Sequence, residues 1–230
     1  MIKLVYGGSG SGKSSFAENL AVSTKAERKY YVATMQIYDD EGREKVSRHR
    51  KLRAGKGFVT IEQPVCIGAA AERIKSDVAA WQNQQEARTA EMLQAAPTAK
   101  TAVLLECVTN LVANEMFPPE SDAGQSESTA GIEESLVVSC IKSGLEKLFS
   151  CADDIIIVSG NVFEDGAEYA ESTKKYMRAL GAVNAFIASK SDEVYEVVAG
   201  IPVKITHKEK CAQSCDSCEN VLQGSYVQGC

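Results

Sequence analysis

The chain has 230 residues, 44% of them apolar and 24% charged, and a formal net charge of −6, which suits a globular protein of one α/β domain or two small ones. The negative balance excludes a general nucleic-acid binder, because such proteins need a basic surface to displace counterions from the phosphate backbone. No stretch reaches the roughly 18 apolar residues that span a bilayer, and the N-terminus lacks the basic and apolar regions of a signal peptide, so the expectation is a cytoplasmic protein with no membrane span and no nucleic-acid partner.

The first predicted strand is IKLVY, residues 2–6, and it runs directly into GGSGSGKSS, residues 7–15, at the head of the helical pattern KSSFAENLAV. Gly7, Gly12, Lys13 and Ser14 fit the spacing G-x-x-x-x-G-K-[S/T] in its required setting between a strand and a helix. Glycines there let successive backbone N–H groups converge on phosphate oxygens, and the following helix turns its N-terminus to the same anion. Lys13 is expected to neutralise β- and γ-phosphate oxygens and the Ser14 hydroxyl to ligate Mg²⁺. The candidate nucleotide loop is therefore Gly7, Gly8, Ser9, Gly10, Ser11, Gly12, Lys13 and Ser14. The competing reading is a glycine-rich turn with a chance Lys-Ser pair.

YYVAT, residues 30–34, is the second predicted strand, and YDDEGREKVSRHRKLRAGKG, residues 38–57, follows it. Asp39 or Asp40 is placed to cap a helix with Glu41 and Glu44 in its first turn and Lys51 and Arg53 in its last, before Gly55, in agreement with the macrodipole at both ends. His49 then lies between Arg48 and Arg50, with Lys45 one turn before it and Arg53 one turn after. Surrounding positive charge disfavours the imidazolium, so the ring is expected to stay neutral and nucleophilic, and the same cations attract phosphates. Two plainer readings stand beside the nucleophile: a phosphate clamp, and a bystander on a solvated basic helix. His207 has no such setting.

FVTIE is the third strand, and a long helix is expected to finish within residues 82–100, before a loop ending near Pro97. TAVLLECV is the fourth. A carboxylate that positions Mg²⁺ belongs at the carboxyl edge of the sheet, and Glu106 is the candidate, since DDIIIVSGN ends without one; the alternative for Glu106 is a solvated acid at a strand end. Residues 118–131 have turn-forming composition and separate two helices. DEVYEVVAGIPVKI, broken by Gly200 and Pro202, reads as two short strands around a bend at the sheet edge. The alternation predicts a P-loop NTPase-like α/β fold, with a mainly parallel sheet, helices on both faces and a short C-terminal strand pair.

Of the eight cysteines, Cys66, Cys107, Cys140 and Cys151 stand singly in apolar segments and read as reduced core thiols. Cys211, Cys215, Cys218 and Cys230 crowd the tail in a C-x₃-C-x₂-C cluster plus a terminal thiol, which leaves a zinc site, an iron–sulfur cluster or a flexible reduced tail open. The expected organisation is a nucleotide-binding catalytic domain over residues 1–206 and a cysteine-rich tail over 207–230.

GGSGSGKSSFAENL, YVATMQIYDDE followed by VSRHRKLR, FVTIE, VLLECVTNLVANEMF and LGAVNAFIASKSDEVYEVVAGIPVKI, in this order, resemble the bifunctional adenosylcobinamide kinase / adenosylcobinamide-phosphate guanylyltransferase family of cobalamin biosynthesis. The resemblance covers most of residues 1–206. It implies an enzyme that phosphorylates the aminopropanol side chain of adenosylcobinamide using ATP or GTP. It also implies that a histidine, matched here by His49, accepts GMP from GTP and passes it to adenosylcobinamide phosphate. Implied nucleotide contacts are the loop from Gly7 to Ser14, Thr34, Met35, Gln36, Arg50, Lys51, Leu52, Arg53, Glu62 and Glu106, with Mg²⁺ on Ser14 and Glu106; a homo-oligomer, a trimer, is implied as well. The chain departs from the family pattern at Gly10, where the loop commonly carries Arg, and at NVFEDGAEYAES, where many members have E-V-G-x-G. Asn161 and Glu164 are the candidates to replace some of that function. Without the resemblance, a small-molecule kinase and a nucleotide-sensing regulatory protein remain alternatives.

Overall fold

Six apolar segments flanked by helical ones can bury both faces of each strand only by lining up in parallel between helix layers. The computed structural model, which describes residues 1–36, 47, 54–92, 100–118, 133–163 and 168–207, has this arrangement. In chain order the described elements are β1 (Ile2–Gly7), α1 (Lys13–Ser23), β2 (Arg28–Ala33), β3 (Phe58–Glu62), α2 (Ile67–Met92), β4 (Thr101–Glu106), α3 (Val108–Met116), α4 (Glu134–Phe149), β5 (Asp154–Gly160), α5 (Glu171–Lys190), β6 (Glu193–Val198) and β7 (Ile201–His207). The seven strands form one sheet in the order β3-β2-β4-β5-β1-β6-β7, and only β7 runs antiparallel, against β6.

Side chains alternate across this sheet with period two. Leu4, Tyr30, Val32, Val103, Leu105, Ile155 and Ile157 point into one core layer, closed by α2, α3, α4 and α5. Val5, Tyr31, Leu104, Ile156 and Val158 point to the other face, where Ala17 and Ala21 of α1 cover them. The small residues of α1 bring its axis close to the sheet. On the opposite layer α2 and α4 meet through Gly68 and Gly144, so closely that a Cβ on Gly144 would stand 2.6 Å from Ile67 Cγ2.

Register places the carboxyl ends of the central strands in a row. Ala33 pairs with both Glu62 and Glu106, Glu106 pairs with Val158, and Gly160 pairs with Gly7. At β6–β7 the chain turns through Ala199 and Gly200, at φ 48° and 82°, the two left-handed residues of a tight hairpin turn.

Two readings are corrected. The strand read through Val108 stops at Glu106, because Val108, Leu111 and Val112 are buried at helical spacing on α3. Cys66 and Cys140 are exposed rather than core residues, whereas Cys107 and Cys151 are free thiols packed against the two core layers. Cys140 sits on α4 beside the inward-facing Ile141, one residue off the buried stripe, while Cys66 lies in the turn before α2 with its N–H donating to Glu115. The helix expected around His49 and the segments 93–99 and 119–132 lie outside the described residues.

Candidate functional site

The first turn of α1 carries no side-chain cap and no acid, so its N–H groups are left for an anion to satisfy. Gly12 precedes it at φ +91°, and a Cβ at that position would meet the Gly200 Cα at 3.2 Å; both the backbone shape and the space demand glycine there. The loop is pinned on three sides. Ser11 N–H donates to the Gly8 carbonyl at 3.3 Å, Asn161 N–H to the Gly7 carbonyl at 2.9 Å, and Gly200 N–H to the Ser11 carbonyl at 2.8 Å. Lys13 Nζ donates to the Gly8 carbonyl at 3.1 Å, holding its ammonium over the loop. The Ser11 hydroxyl is buried without a hydrogen-bond partner. A phosphate oxygen is the acceptor such an orphan hydroxyl needs, so the loop fits a nucleotide on its own geometry.

Glu106 ends β4, and β5 lies between it and β1, so it stands two strand spacings, about 10 Å, to the side of the loop strand. One of its oxygens accepts the hydroxyl of Tyr31, whose ring is buried beneath α1 and meets Phe58 edge-on. The Ser14 hydroxyl and the Glu106 carboxylate are hard oxygen donors, the set Mg²⁺ takes alongside waters and substrate phosphates. Next to Glu106, burial pushes the Cys107 thiol up from its ordinary pKa, while its contact with Thr109 and the positive charge of Lys13 oppose this. The Cys107 sulfur lies 2.8 Å from the Thr109 hydroxyl.

Thr34 follows β2 and is fully buried. Its hydroxyl donates to the Cys107 carbonyl at 2.7 Å and accepts the Cys107 N–H at 2.8 Å, and its own N–H donates to the Glu106 carbonyl at 2.9 Å. Asn114 of α3 donates to the Thr34 and Pro64 carbonyls at 2.8 and 2.9 Å. Thr34 thus ties the ends of β2 and β4 together, leaving Met35 and Gln36 half-buried at the same edge. Glu62, at the end of β3, lines a cavity of about 880 Å³ with Phe58, Thr60 and Arg73.

The described residues therefore bring the loop from Gly7 to Ser14, Thr34 to Gln36, Glu106 and Asn161 to one edge of the sheet, with Glu62 at its outer end. Glu164, His49 and Arg50 through Arg53 lie outside the described residues. The chain returns at Ala54, and Lys56 pairs with the buried carboxylate of Glu18 at 2.5 Å, one turn along α1 from Ser14. Tyr31, Asn114, Lys56 and Gly200 escape sequence reasoning, because their partners are remote in the chain. Only Gly200 gave a local signal, as a break between strands.

The family model described as cobinamide kinase / cobinamide phosphate guanyltransferase matches residues 3–79 and 71–205. The chain belongs to this family. Among curated proteins, the bifunctional adenosylcobalamin biosynthesis protein CobU of Escherichia coli is 29% identical over 205 residues, covering 89% of this chain and 99% of its own. The protein of the same name from Salmonella typhimurium is 28% identical over 212 residues, covering 89% and 99%. CobP of Pseudomonas aeruginosa, also named a bifunctional adenosylcobalamin biosynthesis protein, is 25% identical over 207 residues, covering 89% and 97%. For this member of the cobinamide kinase / guanyltransferase family, no described helix is long and apolar enough to cross a membrane. No group of three or more His, Cys, Asp or Glu among the described residues could hold a metal ion; the tail cysteines Cys211, Cys215, Cys218 and Cys230 lie outside them.

Proposed function

We propose that the chain phosphorylates adenosylcobinamide with a nucleoside triphosphate, ATP or GTP, and transfers GMP from GTP to adenosylcobinamide phosphate through His49, giving adenosylcobinamide-GDP. The observation that carries this reading is the phosphate loop below an uncapped α1 N-terminus, in a chain whose family model spans residues 3–205. The catalytic domain is taken as residues 1–206, acting in the cytoplasm, and the tail 207–230 carries no step.

In the kinase step Lys13 and the loop N–H groups hold the transferring phosphoryl in line with the acceptor hydroxyl. Bound Mg²⁺, held by Ser14 and Glu106, would neutralise charge across the phosphates. In the guanylyl step a neutral His49 nitrogen attacks the α-phosphorus of GTP; a P–N bond forms, the bond to the β-phosphate oxygen breaks, and pyrophosphate leaves. A phosphate oxygen of the acceptor then attacks the same phosphorus, and the P–N electron pair returns to a reprotonated imidazole. Arg50 and Arg53 balance the charge on the phosphoryl, a role that bidentate guanidinium suits. Lys51 and Leu52 lie in the same stretch, Met35, Gln36 and Glu62 complete the nucleotide contacts, and Thr34, buried with its N–H and hydroxyl both bonded, holds the backbone that presents them.

A homo-oligomer, a trimer, is part of this reading. Its support is an apolar stripe on the edge hairpin, where Val198, Ile201, Val203 and Ile205 are each at least half exposed, a surface that an edge strand ordinarily avoids.

The test is incubation with Mg²⁺ and GTP labelled at the α-phosphate, beside a His49→Ala variant, followed by denaturation and acid treatment. Acid-labile label on the wild type alone is expected. A GTP-binding wild type that stays unlabelled would reduce His49 to a clamp and leave a kinase only.

A further inference from the structure

The phosphate loop is closed from below by a part of the chain that carries no phosphate-binding motif. Val197 and Gly200 belong to the β6–β7 hairpin, beyond α5, yet they form the surface against which the loop is set. The Gly200 N–H donates to the Ser11 carbonyl at 2.8 Å. A Cβ on Gly12 would stand 3.2 Å from the Gly200 Cα, and one on Gly7 would stand 2.6 Å from the Val197 carbonyl oxygen. In a two-residue hairpin the N–H of the second turn residue points away from the strand ladder. Here it is spent on the loop.

We infer that Gly200 is a positioning residue for nucleotide binding: the hairpin turn holds the Ser11 carbonyl outward, so that the N–H groups of the loop face the phosphates. The inference rests on the reading of residues 7–14 as the nucleotide site. The physical reason is that a phosphate-binding loop works only when its carbonyls are turned away from the anion. Each carbonyl turned away needs a donor, and the described structure supplies Asn161 N–H for Gly7, Ser11 N–H and Lys13 Nζ for Gly8, and Gly200 N–H for Ser11. The first three belong to the loop, to the start of α1 or to the residue that follows β5, the strand paired with β1. Gly200 alone comes from the edge hairpin, so it makes nucleotide affinity sensitive to that hairpin. The geometry also sets the residue type. Gly200 sits at φ +82°, with open space where a Cβ would go, so the restriction at this position is backbone shape and the N–H, not volume.

Three substitutions separate these demands. Gly200→Pro removes the N–H and cannot reach the left-handed conformation. Gly200→Ala keeps the N–H but strains the turn, and Gly200→Asn keeps the N–H and tolerates the conformation. The measurement is equilibrium binding of Mg·GTP to the full chain by calorimetry, with the melting temperature of each nucleotide-free protein recorded in parallel. Affinity is expected to fall about tenfold in Gly200→Pro, the scale of one positioning hydrogen bond. It should fall less in Gly200→Ala and stay within about twofold of wild type in Gly200→Asn. In steady state the loss should appear in KM for the nucleotide more than in kcat. A folded Gly200→Pro with wild-type affinity would overturn the inference. So would an affinity loss in Gly200→Asn as large as in Gly200→Ala, which remains informative where the proline variant does not fold. A wild type that binds no nucleotide would instead refute the reading of the loop itself.

Discussion

Removing Lys56 isolates a charge that the fold has buried. The Glu18 side chain is 4% exposed and the Lys56 side chain 31%, and they pair at 2.5 Å. Breaking a fully buried pair from one side costs about 3–5 kcal/mol, and an exposed pair is worth at most about 1 kcal/mol. With one end buried and the other partly hydrated, Lys56→Met is expected to cost about 2–3 kcal/mol, or roughly 4–12 °C in Tm for a chain of this size. Urea unfolding at pH 7, followed by far-ultraviolet circular dichroism, measures it. The double variant Glu18→Gln/Lys56→Met removes the stranded charge as well and should recover about 1 kcal/mol or more. Lys56→Met within about 0.5 kcal/mol of wild type, or a double variant as unstable as the sum of its singles, would refute the reasoning. The same variant is expected to slow labelling of His49 from GTP, because Lys56 anchors the chain just after Arg53 to the helix that follows the phosphate loop.

Gly144→Ala should destabilise the protein by about 1–3 kcal/mol in thermal unfolding through the collision with Ile67 and the backbone of Gly68; on helix propensity alone it would stabilise by up to about 1 kcal/mol, so the sign of the Tm shift decides. Glu193, bonded to Lys204, Lys3 and Tyr195, is pushed down to about 2 from 4.5, chiefly by the Lys204 hydrogen bond. A depressed carboxylate contributes stability that is present above its unfolded pKa and lost as pH falls through the folded one. Wild type should therefore lose stability between about pH 4.5 and 2 more steeply than Glu193→Gln does, and parallel acid titrations of Tm would contradict this.

The strands were legible because each is an apolar run bounded by turn residues, and FVTIE is reproduced residue for residue as β3. The loop was legible because its glycines, lysine and serine act together within eight positions. The end of β4 was misjudged at Val108, since a short apolar run followed by an amphipathic helix has no visible seam when the intervening Cys107 is itself apolar. Cys140 was misjudged for a similar reason: the composition around it is apolar, but a shift of one residue on α4 turns its thiol from Ile141's core to the surface. Thr34 was implied as a nucleotide contact by resemblance, and its burial and bonds to Cys107 had no local mark.

Sequence by itself determined the alternation of strand and helix, the place of the phosphate loop between them and the break that makes the last hairpin. These follow from hydrophobic period and backbone preference, which act over a few neighbouring residues. Only the tertiary structure decided that β5 separates Glu106 from the loop strand, that Tyr31 holds that carboxylate, that Lys56 neutralises Glu18, and that Gly200 supports Ser11. Each of these joins groups distant along the chain. Their meeting depends on which strands become neighbours, and that choice is made by packing the whole sheet rather than by any one segment.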